Sequence, residues 1–146
     1  MGVPVRSSKS ATRPTTVAGD VGAVLTEPDV VSSTNRVLDL DLRVAATDVE
    51  VGGATAHMLT YNASVPGPTL HLRPGDRLRV HDTNELDQPT NLHTHGLLVS
   101  AEGLGDNPFL SIEPGETIDD IIDLPDDHPD GVFWYHPHRH GLVAVR

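Results

Sequence analysis

No cysteine occurs anywhere in the 146 residues. That removes disulfides, thiolate zinc sites, cysteine nucleophiles and any blue-copper centre, which needs a thiolate among its ligands. Aromatic residues make up only 3% of the chain, so a core must be assembled from Val, Leu and Ile. Lysine occurs once, at Lys9, and 10 basic residues face 21 acidic ones for a net charge of −11. A chain so short of positive charge lacks the clustered Lys and Arg that phosphate binding requires, which argues against nucleic acid as a partner. Nor is there an apolar run long enough to span a bilayer. Basic residues Arg6, Lys9 and Arg13 stand near the start, but the continuous apolar stretch of a secretory signal does not accompany them.

What the chain does contain is turn chemistry and alternation. The length suits one domain with a moderate core, and 13 glycines with 12 prolines punctuate it heavily. Residues 1–34 are rich in Ser, Thr, Pro, Gly and Val without a sustained period, and are expected to form a disordered or flexible leader. From Val37 onward, Leu38, Leu40, Leu42 and Val44 alternate with Asp39, Asp41 and Arg43, the period-two pattern of a half-buried strand. Gly52-Gly53 predicts a turn and Ala54 to Tyr61 a second strand. Further strands are expected over Thr69 to Arg73, at Leu78 and Val80, and over Leu92 to Val99, Ile118 to Leu124, Val132 to His136 and Leu142 to Val145. Arg73-Pro74-Gly75-Asp76 and Glu113-Pro114-Gly115-Glu116 are β-turn signatures between them. Short strands at nearly even spacing, with no 3.6-residue period, predict an antiparallel sandwich or barrel over residues 35–146.

Five of the nine histidines fall in two segments, Asn91-Leu92-His93-Thr94-His95-Gly96 and Trp134-Tyr135-His136-Pro137-His138-Arg139-His140-Gly141. In an extended strand, residues i and i+2 leave the same face, so each His-x-His step aims two imidazoles one way. That geometry suits transition-metal ligation. A loose metal-sequestering tract is the alternative for His-Pro-His-Arg-His. Its position directly after the apolar run Val132 to Tyr135 favours a structured site. Zinc on four neutral imidazoles is a second alternative. However, Cα atoms two apart in a strand lie about 6.5–7 Å from each other, against metal–nitrogen bonds of about 2 Å. Each pair can therefore reach two metals, which suits a polynuclear copper cluster better. His57, His71, His81 and His128 stand alone and are expected to be surface residues of strands and loops.

Taken together, Tyr61-Asn62, Pro66-Gly67-Pro68-Thr69, Arg73-Pro74-Gly75-Asp76 and the two histidine segments resemble the N-terminal cupredoxin domain of laccase-type multicopper oxidases. The resemblance runs from about Val37 to the end. It implies a cupredoxin-like, antiparallel Greek-key β-sandwich or barrel that stops before its closing strands. It also implies half of the ligand set of a trinuclear copper cluster that reduces dioxygen to water. His93 would bind the type-2 copper, His95 and His136 one type-3 copper, and His138 the other. Asp106 falls near the acid that the family uses to relay protons, although Gly-Asp-Asn-Pro also suits a plain turn. His140 lies outside the family's ligand set and is expected beside the ligands or at the surface. Trp134 and Tyr135 would pack to fix the histidine strand.

Two of the family's four His-x-His motifs and the type-1 copper ligands do not occur in this sequence. The implied partners are therefore the remaining oxidase domains or another subunit, together with dioxygen and a small reducing substrate. A periplasmic or extracellular location follows from the resemblance alone. Two other readings stand beside the oxidase segment: a free-standing copper-binding or storage module, and a structural remnant that holds no metal.

Overall fold

The computed structural model describes residues 27–139, and among these the regular elements are eight strands with no helix. The longest, β2 (Val37–Val51), follows the alternation closely: Leu38, Leu40, Leu42 and Val44 are buried, while Asp39, Asp41 and Arg43 are exposed. It turns through Gly52 and Gly53, both at positive φ, into β3 (Ala54–Tyr61), with Val51 paired to Ala54. Two successive left-handed residues match the twist of a tight hairpin, and glycine adopts that conformation without a Cβ clash.

On its other edge β2 pairs with β5 (Arg77–Asn84), Leu38 lying against Leu78 and Leu40 against Val80. This pairing is parallel. The expected all-β architecture holds, and β2–β3 pair antiparallel as expected, but the parallel β2–β5 ladder makes this a mixed sheet, ordered β3-β2-β5-β7; a two-residue period is the same in both kinds of ladder. The last strand of that sheet, β7 (Thr117–Asp123), runs antiparallel to β5.

Two small sheets cover the inner face. One joins β1 (Val30–Ser32) to β4 (Thr69–His71) in parallel, and the other joins β6 (His93–His95) to β8 (Trp134–His136) antiparallel. β1 thus falls within the stretch that composition reads as leader; residues 1–26 of that stretch lie outside the described residues. So does the strand expected at Leu142 to Val145, and so does His140.

The core between the layers is Leu38, Leu40, Leu42, Leu78, Val80, Leu92, Ile122 and Leu124, with Val31, Leu70, Tyr61 and Tyr135 packed against it. Burying a side chain of this kind contributes about 1.5–3 kcal/mol. On the outer face, acidic and basic residues of adjacent strands pair instead. Arg77 bonds Asp123 at 2.6 Å, and His81 sits between Asp39 at 3.0 Å and Asp119 at 2.6 Å.

Both expected Pro-Gly turns form: Asp76 N–H donates to the Arg73 carbonyl and Glu116 N–H to that of Glu113. The strands carrying histidines are shorter than the alternation suggests. β6 ends at His95, just before Gly96, whose φ is 92°, and a long loop then runs to β7.

That loop is held by side chains. Asn84, fully buried, donates through Nδ2 to the Gln88 and Ile112 carbonyls and accepts from Leu86 N–H through Oδ1. Thr90 and Ile112 then bridge through both backbone bonds. In this way the chain entering β6 is tied to the chain approaching β7, and this fixes where the histidines start.

Candidate metal centre

In the β6–β8 ladder His93 lies opposite His136, Thr94 opposite Tyr135 and His95 opposite Trp134. Strand pleat therefore sends His93, His95, Trp134 and His136 to one face and Thr94 and Tyr135 to the other. The second face is the core side. Thr94 is buried, and Tyr135 packs on Tyr61 with ring centroids 5.2 Å apart and donates its hydroxyl to the Pro68 carbonyl at 2.8 Å.

On the first face, one ligand nitrogen each from His93, His95 and His136 falls within 4.8 Å of the others. The His93 ring stands edge-on to that of His136 at 5.3 Å and to that of His138 at 5.1 Å. All four expected ligands are thus neighbours, with three in a tight group and His138 flanking His93. Trp134 stacks on His136 at 4.0 Å and on His95 at 5.0 Å, so it packs against the imidazoles themselves.

Ring orientation is set by what each Nδ1 meets. His136 Nδ1 donates to the Pro137 carbonyl at 2.8 Å, which leaves Nε2 as the free lone pair. That Nε2 is buried and has no hydrogen-bond partner. Burial first, and then the nearby charges of His93, His95 and His138, hold His136 below the ordinary histidine range, so it stays neutral. An orphaned, neutral, buried imidazole nitrogen facing two others is a fit for a metal ion, and an all-imidazole set suits copper.

His93 Nδ1 lies 2.8 Å from Asp106 Oδ1, and the same oxygen accepts the Thr94 N–H at 2.9 Å. A carboxylate on Nδ1 fixes the tautomer with Nε2 outward and makes the ring a stronger donor. Asp106 is not a plain turn residue: it is 8% exposed and reaches 13 positions back to His93. Its loop closes because Asp106 N–H donates to the Ser100 carbonyl. Gly105 makes that closure possible, since a Cβ there would meet the Ser100 oxygen at 2.5 Å.

Two supports went unnoticed in the sequence. Asn91, almost fully buried, accepts the His138 N–H at 2.8 Å through Oδ1 and donates to the Pro108 carbonyl at 2.9 Å. Its place at the head of the first histidine segment is the available signal. His128, expected at the surface, is instead 6% exposed. It accepts the Leu98 N–H at 3.0 Å and donates to the Pro129 carbonyl at 2.9 Å, so it joins the chain leaving β6 to the chain approaching β8. His57 and His81 do lie on the outer surface, each paired to carboxylates.

A cavity of about 660 Å³ opens on the core side of β8, lined by Tyr61, Leu70, Leu72, Thr94 and Tyr135 among others. None of the histidines at the centre lines it.

A β-scaffold that presents paired imidazoles from two adjacent strands on one face is the architecture of a cupredoxin-type copper domain. A family model described as multicopper oxidase matches residues 43–145. Copper resistance protein A of Escherichia coli is 31% identical over 100 residues, covering 67% of this chain and 16% of that protein. Multicopper oxidase MmcO of Mycobacterium tuberculosis is 30% identical over 140 residues, covering 90% and 27%. Among solved structures, a multicopper oxidase from Campylobacter jejuni, described as a metallo-oxidase, superposes with a TM-score of 0.69 at 29% identity, covering 82% of this chain and 26% of that one. A laccase-like oxidase, CueO, from Ochrobactrum gives 0.67 at 28% identity, covering 81% and 26%. The chain belongs to the multicopper oxidase family, whose metal is copper. It spans 16% and 27% of the length of these two curated relatives.

Proposed function

We propose that this chain supplies half of the histidine ligands of a trinuclear copper centre, the other half coming from further oxidase domains or another subunit. His93 serves the type-2 position, His95 and His136 one type-3 position, and His138 the other. The observation that carries the reading is the convergence of the His93, His95 and His136 nitrogens within 4.8 Å, with His138 beside His93. Copper held there supplies Lewis acidity and one-electron chemistry toward dioxygen.

The protein's own residues do the rest. Asp106 fixes the proton on His93 Nδ1 and, next to the ligands, is placed to pass protons toward oxygen as it is reduced to water. Trp134 stacks over His95 and His136 and restrains the orientation of both rings. In the complete enzyme, oxidation of a small reducing substrate feeds the centre. The absence of cysteine means that those electrons enter through ligands that these 146 residues do not provide. An exported location, periplasmic or extracellular, accords with the family. Among the described residues no helix is long and apolar enough to cross a membrane.

Copper titration followed by electron paramagnetic resonance tests the ligand assignment. Saturable uptake with nitrogen hyperfine structure is expected, abolished in a His93→Ala/His136→Ala double variant. Uptake that survives that double replacement would refute the assignment. Oxidase activity of the isolated chain would refute the claim that it holds only half a centre.

A further inference from the structure

The inner face of the four-stranded sheet is apolar along β2 but not along β5 and β7. In phase with Leu78 and Val80, β5 turns Asp82 inward, and in phase with Ile122 and Leu124, β7 turns Asp120 inward. Asp82 has no exposed surface and Asp120 has 3%. Register puts Val80 opposite Asp120 and Asp82 opposite Ile118, so the two carboxyls are diagonal neighbours on one face. Both oxygens of Asp82, Oδ2 of Asp120 and the Tyr61 hydroxyl are buried without a hydrogen-bond partner.

Among the described residues no positive charge compensates them. From β2 the pair is faced by Leu40, Leu42 and Val44, and from β3 by Tyr61, on which Tyr135 of β8 packs. Asp106, in the loop after β6, and Asp119, the preceding residue of β7, add only negative charge. Burial pushes Asp82 up to about 7; burial, and then the charge of Asp82, pushes Asp120 up to about 7 as well. Two unpaired carboxylates cannot both stay ionised so close together in an apolar interior.

We propose that Asp82 and Asp120 fold as uncharged carboxylic acids, diagonal neighbours in the apolar layer beside Tyr61, forming a pH-sensitive latch behind the metal-binding face. The latch reaches that face through β7: Ile121 N–H donates to the Leu104 carbonyl at 2.6 Å, in the loop that ends at Asp106. The inference does not depend on copper. Because folding raises both groups above their unfolded value of 3.8, the stability they permit is complete below that value. It is lost as pH rises through about 7, and no further loss follows once both are ionised in the folded state.

The test uses the full chain, metal-free in a chelating buffer, in denaturant titrations from about pH 4.5 to 8.5. The wild-type folding constant is expected to carry up to a tenfold loss per pH unit for each carboxyl between about pH 4 and 7, flattening above. Asp82→Asn and Asp120→Asn should each remove part of that loss and should outlast the wild type at alkaline pH. Infrared spectra of the wild type, which need no variant to fold, should show a protonated carboxylic acid persisting where exposed carboxylates have ionised. The Ile121 amide, corrected for intrinsic exchange, should lose protection over the same range. Equal pH dependence in the wild type and both variants, or absence of the protonated band near neutrality, would overturn the proposal. So would a chelator-sensitive gain in stability on adding calcium or magnesium ions, because the pair would then be holding a cation.

Discussion

Replacement of Asp106 separates the two roles that its geometry combines. One oxygen, Oδ1, accepts from His93 Nδ1 at 2.8 Å and from Thr94 N–H at 2.9 Å. Alanine strands both donors. His93, half-buried, can turn toward water, but Thr94 is 5% exposed and its N–H cannot. An unsatisfied buried donor costs about 1–3 kcal/mol. Losing the partner that orients a ligating imidazole typically costs about 10–100-fold in metal affinity, or roughly 1.4–2.8 kcal/mol. Asparagine keeps an oxygen for both donors but loses the charge, and a bond to a neutral acceptor is about half as strong. Copper affinity should therefore rank wild type, Asp106→Asn, Asp106→Ala, with the asparagine variant near wild-type stability and the alanine variant lower. Isothermal titration with cupric ion gives the affinities, and urea denaturation of the metal-free chain gives the stabilities. If Asp106→Ala loses stability yet binds copper as tightly as the wild type, Asp106 merely closes its loop, and the assignment of His93 as a carboxylate-oriented ligand fails.

Three further outcomes follow from the same structure. Gly105→Ala would bring a Cβ to 2.5 Å from the Ser100 oxygen; a destabilisation of about 1–3 kcal/mol is expected, together with weaker copper binding as Asp106 shifts, read by the same two assays. Asn91→Ala leaves the His138 N–H and the Pro108 carbonyl without their partner. A loss of about 1–3 kcal/mol in denaturation and altered spin-resonance parameters of the bound copper should accompany it. The carboxylates of Asp119 and Asp39 raise His81 above the ordinary histidine range, so its contribution is present below about 6.5 and is lost as pH rises through the folded-state value. Thermal melts of His81→Asn should therefore differ from wild type more at mildly acidic than at alkaline pH, and an equal difference at both would count against the ion-pair ladder.

Much of this was legible in residue order. Alternation placed β2 and β3, the glycine pair placed their hairpin, and the Pro-Gly turns fell where they form. The two His-x-His steps identified the face that carries the imidazoles. What escaped was non-local. Parallel pairing of β2 with β5 leaves the same two-residue period as antiparallel pairing, so the pattern could not reveal it. The Asp106–His93 contact spans a loop whose closure depends on Gly105, and no local pattern encodes it. His128 carries no periodic signal because it lies in a loop, and its burial comes from packing against Phe133 at 5.4 Å. Asp82 and Asp120 were legible in principle. Both stand in phase with the buried residues of their strands, and an inward-phased carboxyl is visible before any fold is known.

The opposite facing of Thr94 and His93 has a consequence for how this domain tolerates change. β6 and β8 are each three residues long, so the ladder has little pairing of its own with which to resist sliding. Its alignment is held from behind, by Tyr135 against Tyr61 and Pro68. A slip of one residue would hand Thr94 and Tyr135 to the metal and bury imidazoles in the apolar layer. Tyr135 never approaches the ligand nitrogens, yet it acts as their registration pin. Variants that loosen it should scramble coordination while every ligand is still encoded.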